Sequence, residues 1–247
     1  MKGLFFILLL NACAAIAQEN VCKQFSDISQ MEQRAFLNRN NNNLRSQASA
    51  NFKVNFYRCF WKVDPAVRYI DGKVVAHFTA LANTNNIVFD LTTKVTVDSV
   101  IFRNQKITFS QQGNETLSLQ LSSSVNALQK DSVIMYYHGV PDNTGFGSFI
   151  QFMHANTPVI WTLSEPYGSK DWWPCRNGLD DKVDSMDITI IHPAQYKATT
   201  NGLLQSETTV ANTTTTFFKH RYPIASYLVC FSVTNFIVFN NAVQLGN

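Results

Sequence analysis

Short runs of apolar and β-branched residues, separated by turn residues, fill the chain from residue 51 onward. Such runs, rich in Val, Ile, Phe, Tyr and Thr, predict β-strands. The predicted strands cover residues 54–61 and 73–82, and others lie near 86–92, 95–103, 106–110, 115–121, 131–138, 148–153, 158–163, 185–192, 196–200, 214–219 and 226–239. No helical pattern of about 10 to 15 residues intervenes, which argues against a βαβ architecture. The pattern therefore predicts an all-β fold, with antiparallel strands in a sandwich or a barrel-like sheet.

Two dipeptides predict the turns around the first strands. Asp64-Pro65 ends the first run, because proline cannot donate to a strand ladder. Asp71-Gly72 is a typical two-residue hairpin turn, so it is predicted to open the strand over residues 73–82.

The first 17 residues form the clearest targeting signal. Lys2 supplies the positive charge, Leu4–Leu10 is an apolar stretch, and Ala15-Ile16-Ala17 is a small-x-small cleavage site. This pattern predicts a signal peptide and a secreted or periplasmic protein that begins near Gln18. Lipoprotein anchoring at Cys13 is the second interpretation of the same segment. No later segment is long and apolar enough to predict a transmembrane helix, which needs about 20 residues.

Residues 18–50 are predicted to precede the β domain as a helix followed by a polar linker. Ser26–Asn38 has a capping residue at its start and a partial apolar stripe, which predicts a short helix. The polar run Arg39–Asn43 breaks that pattern and predicts a loop to about residue 50. The β domain is accordingly assigned to residues 51–247.

Composition narrows the class of function. Of the 247 residues, 45% are hydrophobic and 15% are charged, and the formal net charge is +3. A chain this apolar can bury a large core, so disorder is not expected. The basic residues form no long run and do not alternate with aromatic residues along the chain, so nucleic acid is not predicted as a partner.

Four cysteines follow the predicted signal peptide: Cys22, Cys59, Cys175 and Cys230. In an oxidising compartment they allow three complete pairings, and the sequence does not choose between them. The alternative is that they are free thiols, because Cys59 and Cys230 lie in apolar strand patterns where cysteine acts as a small hydrophobic residue.

Two segments match the sequon for N-glycosylation. They are Asn114-Glu115-Thr116 and Asn212-Thr213-Thr214. The pattern is short, and it matters only in a host that glycosylates exported proteins.

The sequence contains no recognisable catalytic or metal-binding motif. The five histidines are His77, His138, His154, His192 and His220, and none belongs to a His-Glu-x-x-His pair. Cys-x-x-Cys spacing, a Gly-x-Ser-x-Gly elbow and a phosphate-binding glycine loop are also absent. The acidic stretch over 180–187 does not have the spacing of an EF-hand. No catalytic or metal-ligating residue is therefore predicted in this chain.

One segment is unusual for a connecting loop. Residues 161–177 leave a predicted strand at Glu165 and continue into a loop that contains Trp172 and Trp173. One interpretation is that the two tryptophans seal the end of a sheet, because most large aromatic side chains pack inside a domain. The other is that the loop packs on a partner domain and presents Glu165 over a cleft.

Five segments, taken in chain order, carry a more specific signal. They are Tyr57–Pro65, Thr162–Cys175, Asp181–Ser185, Asn201–Leu204 and Pro223–Phe231. Over residues 51–240 they resemble the N-terminal domain of the aminopeptidase N-like zinc metallopeptidases, also called gluzincin aminopeptidases. The resemblance implies a saddle-like antiparallel or mixed β-sandwich that packs beside a thermolysin-like catalytic domain, here preceded by a short N-terminal helix.

The resemblance also implies a role for two residues. Such domains lend a polar pair, commonly Gln-x-Glu or Gln-x-Gln, to the pocket for the first residue of the substrate. The matching positions here are Leu163 and Glu165. A fixed carboxylate at Glu165 suits the free α-ammonium of a peptide, whereas Leu163 replaces the usual glutamine and removes one polar contact. Without the resemblance, Glu165 would be an ordinary solvated loop acid.

The function implied is that of the substrate-site domain of a secreted zinc aminopeptidase, which removes N-terminal residues from peptides. The sequence ends at Asn247. Zinc and the catalytic residues are therefore expected in a catalytic domain, in cis or in trans, and this chain alone is expected to be inactive. The alternative is a free-standing, non-catalytic binding or interaction module with the same fold. Exposed apolar surface would distinguish the two, because a domain that packs on a partner leaves a large apolar face when isolated.

Overall fold

The computed structural model describes residues 29, 30, 33, 46–142 and 147–239. Within these ranges the strands are β1 (Phe52–Asp64), β2 (Val67–Ala80), β3 (Thr84–Asp90), β4 (Val95–Phe102), β5 (Gln105–Ile107), β6 (Phe109–Gln112), β7 (Thr116–Val125), β8 (Lys130–Gly139), β9 (Ser148–His154), β10 (Thr157–Leu163), β11 (Lys182–Val183), β12 (Ser185–Pro193), β13 (Lys197–Thr200), β14 (Leu203–Val210), β15 (Thr213–His220), β16 (Ile224–Ala225) and β17 (Phe231–Thr234). Short 3₁₀ helices span Ser169–Asp171 and Ser226–Leu228.

The strands form a mixed β-sandwich. The largest sheet has eight strands in the order β14-β15-β12-β1-β2-β8-β4-β5, and a second sheet has the order β13-β17-β10-β9. A three-stranded sheet, β3-β7-β6, and a two-stranded sheet, β11-β16, complete the fold. The β1–β12 pair is parallel and its neighbours in the large sheet are antiparallel. The prediction of an all-β sandwich is therefore confirmed.

Several sequence predictions concern residues outside the described ranges. These include the signal peptide, the anchoring alternative at Cys13 and the pairing of Cys22. Residues 29, 30 and 33 are helical, and the rest of the helix predicted over Ser26–Asn38 lies outside the described part. The helices that the structure does describe are all too short or too polar to span a bilayer.

The first hairpin turns earlier than the sequence predicted. Residues Asp71 and Gly72 lie inside β2, and the chain reverses between β1 and β2 at residues 65–66. Glycine is needed at position 72 for space rather than for a turn. A Cβ atom there would lie 2.2 Å from Cζ of Tyr137 on the neighbouring strand β8.

The last part of the β domain also differs from the prediction. Strand β14 was not predicted, because all eight of its residues are exposed and the strand lacks the alternation that marks a half-buried face. The long strand predicted over residues 226–239 reduces to β17, since residues 226–228 form a 3₁₀ helix and residues 235–239 are irregular.

Aromatic side chains fill the space between the eight-stranded and four-stranded sheets. The Trp61 ring lies 4.7 Å from that of Trp172 and 5.9 Å from those of Trp173 and Phe231, measured between centroids. Phe149 of β9 closes the cluster at 5.8 Å from Phe231. Each of these rings is buried, so the cluster contributes several kcal/mol of hydrophobic stabilisation.

The cysteines of the described residues are free thiols. Cys59 and Cys175 are buried, and Cys230 is half-buried before β17. Burial raises the pKa of the Cys59 and Cys175 thiols well above the usual value for cysteine. The free-thiol alternative is therefore correct for these three residues, which pack as small hydrophobic groups.

Candidate functional site

The end of β10 places Leu163 and Glu165 on one side of the sheet. Leu163 is the last residue of β10 and pairs with Ser148 of β9. The side chains of Thr162 and Ser164 are buried, whereas Leu163 is half-buried and Glu165 is exposed. This alternation points Leu163 and Glu165 away from the core, so the structure brings the two predicted residues together at the sheet margin.

Ser164 ties the strand end to the core. Its hydroxyl accepts a hydrogen bond from Nε1–H of Trp172 (2.9 Å), and its carbonyl accepts one from the backbone N–H of Gly168 (2.7 Å). The turn is tight at Gly168, where a Cβ atom would lie 2.2 Å from Oγ of Ser148. The residue immediately before Glu165 is thus fixed by both its side chain and its backbone.

The two adjacent tryptophans pack inside this domain. Trp172 and Trp173 are both fully buried. Trp172 contacts Trp61 and Phe231, and the Trp173 ring lies 5.1 Å from that of Tyr57. The interpretation that they pack on a partner domain is therefore wrong, because no ring surface is left to offer. They seal the space between two sheets, and in doing so they hold the loop that follows Glu165.

A buried carboxylate fastens the far end of the loop. The backbone of Cys175 exchanges two hydrogen bonds with that of Asp90, the last residue of β3 (2.8 and 3.1 Å). The Asp90 carboxylate accepts hydrogen bonds from the N–H groups of Asn177 (2.8 Å) and Gln47 (2.6 Å) and from the Ser46 hydroxyl (2.7 Å). Burial raises the pKa of Asp90, and these donors act in the opposite direction. Part of the predicted linker is thus an anchor for the loop.

Two further buried charges hold the middle of the loop. Lys170, only 1% exposed, forms an ion pair with Glu115 in the turn before β7. The fully buried Asp171 accepts a hydrogen bond from the Ser148 hydroxyl. The backbone carbonyl of Lys170 also accepts a hydrogen bond from Thr92 (2.8 Å). Buried charges that are paired in this way favour one loop conformation, and leaving one partner alone is costly.

The outer surface of the four-stranded sheet continues the face on which Leu163 lies. Cross-strand neighbours on this face form an apolar strip: Ile150, Phe152, Val159, Trp161 and Leu163. Phe152 is 42% exposed and the other four are half-buried. Beside the strip runs an open groove of about 370 Å³, lined by Trp161, Thr199, Ser232 and Cys230 among others. The strip and groove form a surface suited to contact with another molecule or domain.

Sequence reasoning missed the anchors of the loop. Asp90 and Glu115 lie far from the loop along the chain, and no local motif marks them or Lys170 within the loop. Their signal is burial of a charge, which only the tertiary structure reveals. Within the part of the chain that the structure describes, no group of three or more His, Cys, Asp or Glu side chains is placed to hold a metal ion.

Comparison with known proteins assigns the fold to a family. Residues 50–228 match the profile of the family described as the peptidase M1 N-terminal domain. The chain belongs to this family. The match covers most of the described β structure, including β10 and the loop after it, and the resemblance seen in the sequence is thereby confirmed.

Curated relatives of this M1 N-terminal domain include two glutamyl aminopeptidases. That of Sus scrofa is 37% identical over 79 residues, which are 32% of this chain and 8% of the relative. That of Rattus norvegicus is 35% identical over 149 residues, which are 56% of this chain and 15% of the relative. The chain therefore spans only a small part of the length of either protein.

Solved structures share the fold. A two-domain M1 zinc metallopeptidase bound to L-arginine superposes with a TM-score of 0.68 at 21% identity, over 75% of this chain and 43% of that one. The M1 zinc metallopeptidase from Deinococcus radiodurans gives a TM-score of 0.67 at 20% identity over the same shares. The chain thus spans less than half the length of these metallopeptidases.

Proposed function

We propose that this chain is the N-terminal substrate-site domain of an exported zinc aminopeptidase that removes N-terminal residues from peptides. In this proposal the Glu165 carboxylate binds the free α-ammonium of the peptide, and Leu163 lies beside the first residue of the substrate. Zinc and the hydrolytic residues belong to a catalytic domain, in cis or in trans. The observation that carries the proposal is the position of Glu165, exposed at the end of β10 and held by a loop with buried anchors.

The geometry favours this role for a physical reason. A carboxylate discriminates between a free and a blocked amino end only if it is held in place. A mobile side chain would turn towards water and would not keep the position that the α-ammonium requires. Here the Ser164 side chain is hydrogen-bonded to Trp172 on the core side of the strand, while Glu165 faces outward on the opposite side. Pairing between a carboxylate and an ammonium strengthens once a covering domain excludes water.

The apolar strip on the four-stranded sheet favours a domain that works with a partner. Phe152 is exposed and Val159, Trp161 and Leu163 are half-buried, and all four lie on the same face as Glu165. A catalytic domain seated on this face would cover the strip and complete a cleft around Glu165. A free-standing module would keep the strip exposed to water, so the strip supports the proposal over that alternative.

The relatives are consistent with this assignment. The two curated relatives are named glutamyl aminopeptidases, and one structural neighbour is an M1 zinc metallopeptidase bound to a Tyr-Ser-Ala substrate. The apolar segment Leu4–Leu10 and the small-x-small site at residues 15–17 support export, because they have the form of a cleavable signal peptide.

A fusion of this domain to an M1 catalytic domain tests the proposal. Glu165→Gln is expected to lower kcat/KM for aminoacyl-nitroanilides by about 30-fold or more, since removing one partner of a buried charge pair costs about 2 to 5 kcal/mol. Asp180→Asn, which removes an exposed carboxylate by the same chemistry, is the matched control and should leave kcat/KM unchanged. Equal rates for Glu165→Gln and the parent fusion would contradict the proposed role of Glu165.

The isolated chain provides the second test. It is expected to hold no stoichiometric zinc and to release no nitroaniline, because the metal site is assigned to the catalytic domain. Zinc bound in a one-to-one ratio, together with peptide trimming by the purified chain, would overturn the proposal. Specific binding of a ligand by the isolated chain, with no increase in affinity when a catalytic domain is added, would favour the free-standing module.

A further inference from the structure

The outer face of the eight-stranded sheet carries a row of aromatic rings. This face points away from the tryptophan cluster and lies on the opposite side of the sheet from Trp61. Strand register places five residues side by side across it: Tyr136 (β8), Lys73 (β2), Phe60 (β1), Thr189 (β12) and Phe217 (β15). The three rings are half-buried, and Thr189, which lies between Phe60 and Phe217, is buried. Aromatic side chains thus occupy every second strand of a surface that an ordinary solvated sheet would fill with polar residues.

The spacing of the rings follows from the sheet itself. Neighbouring strands lie about 4.8 Å apart, so the backbone positions that carry the rings on alternate strands are separated by roughly 10 Å. Tyr136 and Phe60 are two strands apart, as are Phe60 and Phe217. This interval is close to the length of two sugar units in an extended polysaccharide. The flat faces of sugar rings stack on aromatic side chains, so the row can take alternate sugars of one chain.

Basic side chains lie among the rings. The ammonium of Lys73 is 4.9 Å from the centroid of Phe60 and 5.7 Å from that of Tyr136. The ammonium of Lys219 is 5.7 Å from the centroid of Phe217. Within the residues that the structure describes, neither ammonium is within salt-bridge distance of a carboxylate. Both lysines are therefore available to an anionic ligand at the positions where the rings lie.

The adjacent row adds to this positive charge. Arg58 and Arg221 both contact the carboxylate of Asp187, at 3.4 and 2.7 Å. Arg58, Asp187 and Lys219 are direct cross-strand neighbours on β1, β12 and β15. On this side of the rings Lys73, Lys219, Arg58 and Arg221 thus give four cations against one carboxylate. The row on the other side adds the cross-strand neighbours Lys62 and Asp71, which leaves the excess of positive charge unchanged. Sequence composition did not reveal this group of charges, because its members come from strands far apart in the chain.

We propose that this outer face binds an extended anionic polysaccharide, with sugar rings stacked on Tyr136, Phe60 and Phe217. Sulfate or carboxylate groups of the polysaccharide meet Lys73 and Lys219, whose ammonium groups lie over those rings. The combination of regularly spaced rings and ammonium groups that no carboxylate of the described residues neutralises selects this ligand class. Charge alone would attract any polyanion, whereas rings alone would suit neutral glycans. The site is separate from Glu165 and does not depend on its proposed role.

Heparin binding by the full chain tests the proposal. The probe is a heparin oligosaccharide, with binding measured by calorimetry at two salt concentrations and by elution from a heparin column. The double variant Lys73→Gln/Lys219→Gln is expected to weaken binding by about three- to tenfold, the loss of two exposed charge contacts. The matched control, Lys94→Gln/Lys182→Gln, removes the same charge from two exposed lysines off this face and should retain the parent affinity.

A third variant tests the rings. Phe217→Thr keeps every charge and places a β-compatible residue in β15, so it should also weaken heparin binding while leaving the melting temperature close to that of the parent. Equal losses of heparin affinity in the two lysine double variants would show that net charge alone explains the binding, and would overturn the proposal. Unchanged binding in Phe217→Thr would overturn it as well. Tighter, lysine-dependent binding of single-stranded DNA or of anionic phosphatidylserine vesicles than of heparin would assign the face to another polyanion and refute it.

Discussion

The hydrogen bond between Trp172 and Ser164 should account for a measurable part of the stability of the loop behind Glu165. Nε1–H of Trp172 lies 2.9 Å from Oγ of Ser164, and both residues are at most 1% exposed. Trp172→Phe keeps a ring against Trp61 but removes the donor, which leaves the buried Ser164 hydroxyl without this partner. Ser164→Ala leaves the indole N–H unpaired instead. Each single change is expected to cost about 1 to 3 kcal/mol, the penalty for orphaning a buried polar group.

The double variant separates the hydrogen bond from general packing. Trp172→Phe/Ser164→Ala removes donor and acceptor together, so no polar group is orphaned. Its cost should therefore be smaller than the sum of the two single costs, with a coupling energy of about 1 to 2 kcal/mol. Complete removal of the ring in Trp172→Ala is less informative, because about 3 to 5 kcal/mol of lost packing could unfold a marginally stable domain.

The assay is urea unfolding followed by far-UV circular dichroism, which does not depend on tryptophan emission. Tyr222→Phe is the control, since Tyr222 is 75% exposed and the change removes a solvated donor instead of a buried one. Its cost should stay within about 0.5 kcal/mol, as for most surface substitutions. Additive costs for the Trp172 and Ser164 changes, within about 0.5 kcal/mol, would refute the reasoning that this bond fixes the residue before Glu165.

Three further predictions concern packing, pH and modification. Gly72→Ala should destabilise the domain by at least about 1 to 3 kcal/mol in urea unfolding, because the added methyl overlaps the Tyr137 ring, and Tyr137→Leu in the same chain should recover part of that loss. Burial lowers the pKa of His192 below the ordinary 6.5, so the unfolded chain binds the proton at a higher pH than the folded chain does. The free energy of unfolding, measured by urea unfolding at several pH values, should therefore fall as the pH drops below about 6.5, and His192→Gln should reduce this dependence on pH. Expression through a glycosylating secretory pathway should add glycans at Asn114 and Asn212, which are both exposed in hairpin turns, and intact-mass measurement of Asn→Gln variants should show the loss of one glycan each.

Most of the strand pattern could be predicted from the sequence because one face of each strand is buried. In β1 and β8, buried residues alternate with half-buried or exposed ones over most of the strand, and this alternation is visible in the sequence. Strand β14 escaped prediction because its two faces are both exposed and its place depends on pairing with β15. The turn assigned to Asp71-Gly72 failed for a related reason: the glycine meets a space requirement set by Tyr137, a residue 65 positions away.

The candidate site divides in the same way. The family resemblance identified Leu163 and Glu165 by position, and the alternation of a strand was enough to expect both on one face. The sequence also marked the Trp172–Trp173 loop as unusual, but it left open whether the rings pack inside or on a partner. That choice was decided by the space between two sheets, in which the rings of Trp172 and Trp173 are fully buried.

By itself, then, the sequence determined the all-β fold class, the family and the position of Leu163 and Glu165 at the sheet margin, because these depend on local periodicity and ordered motifs. Tertiary structure alone decided what anchors the loop after Glu165 and which outer surfaces are apolar or basic. Asp90 and Glu115 become anchors only when folding brings their carboxylates to the loop, and Lys170 only when its charge is buried against Glu115. The basic and aromatic row likewise exists only across strands, since hydrogen-bonded register places residues side by side that the chain keeps far apart.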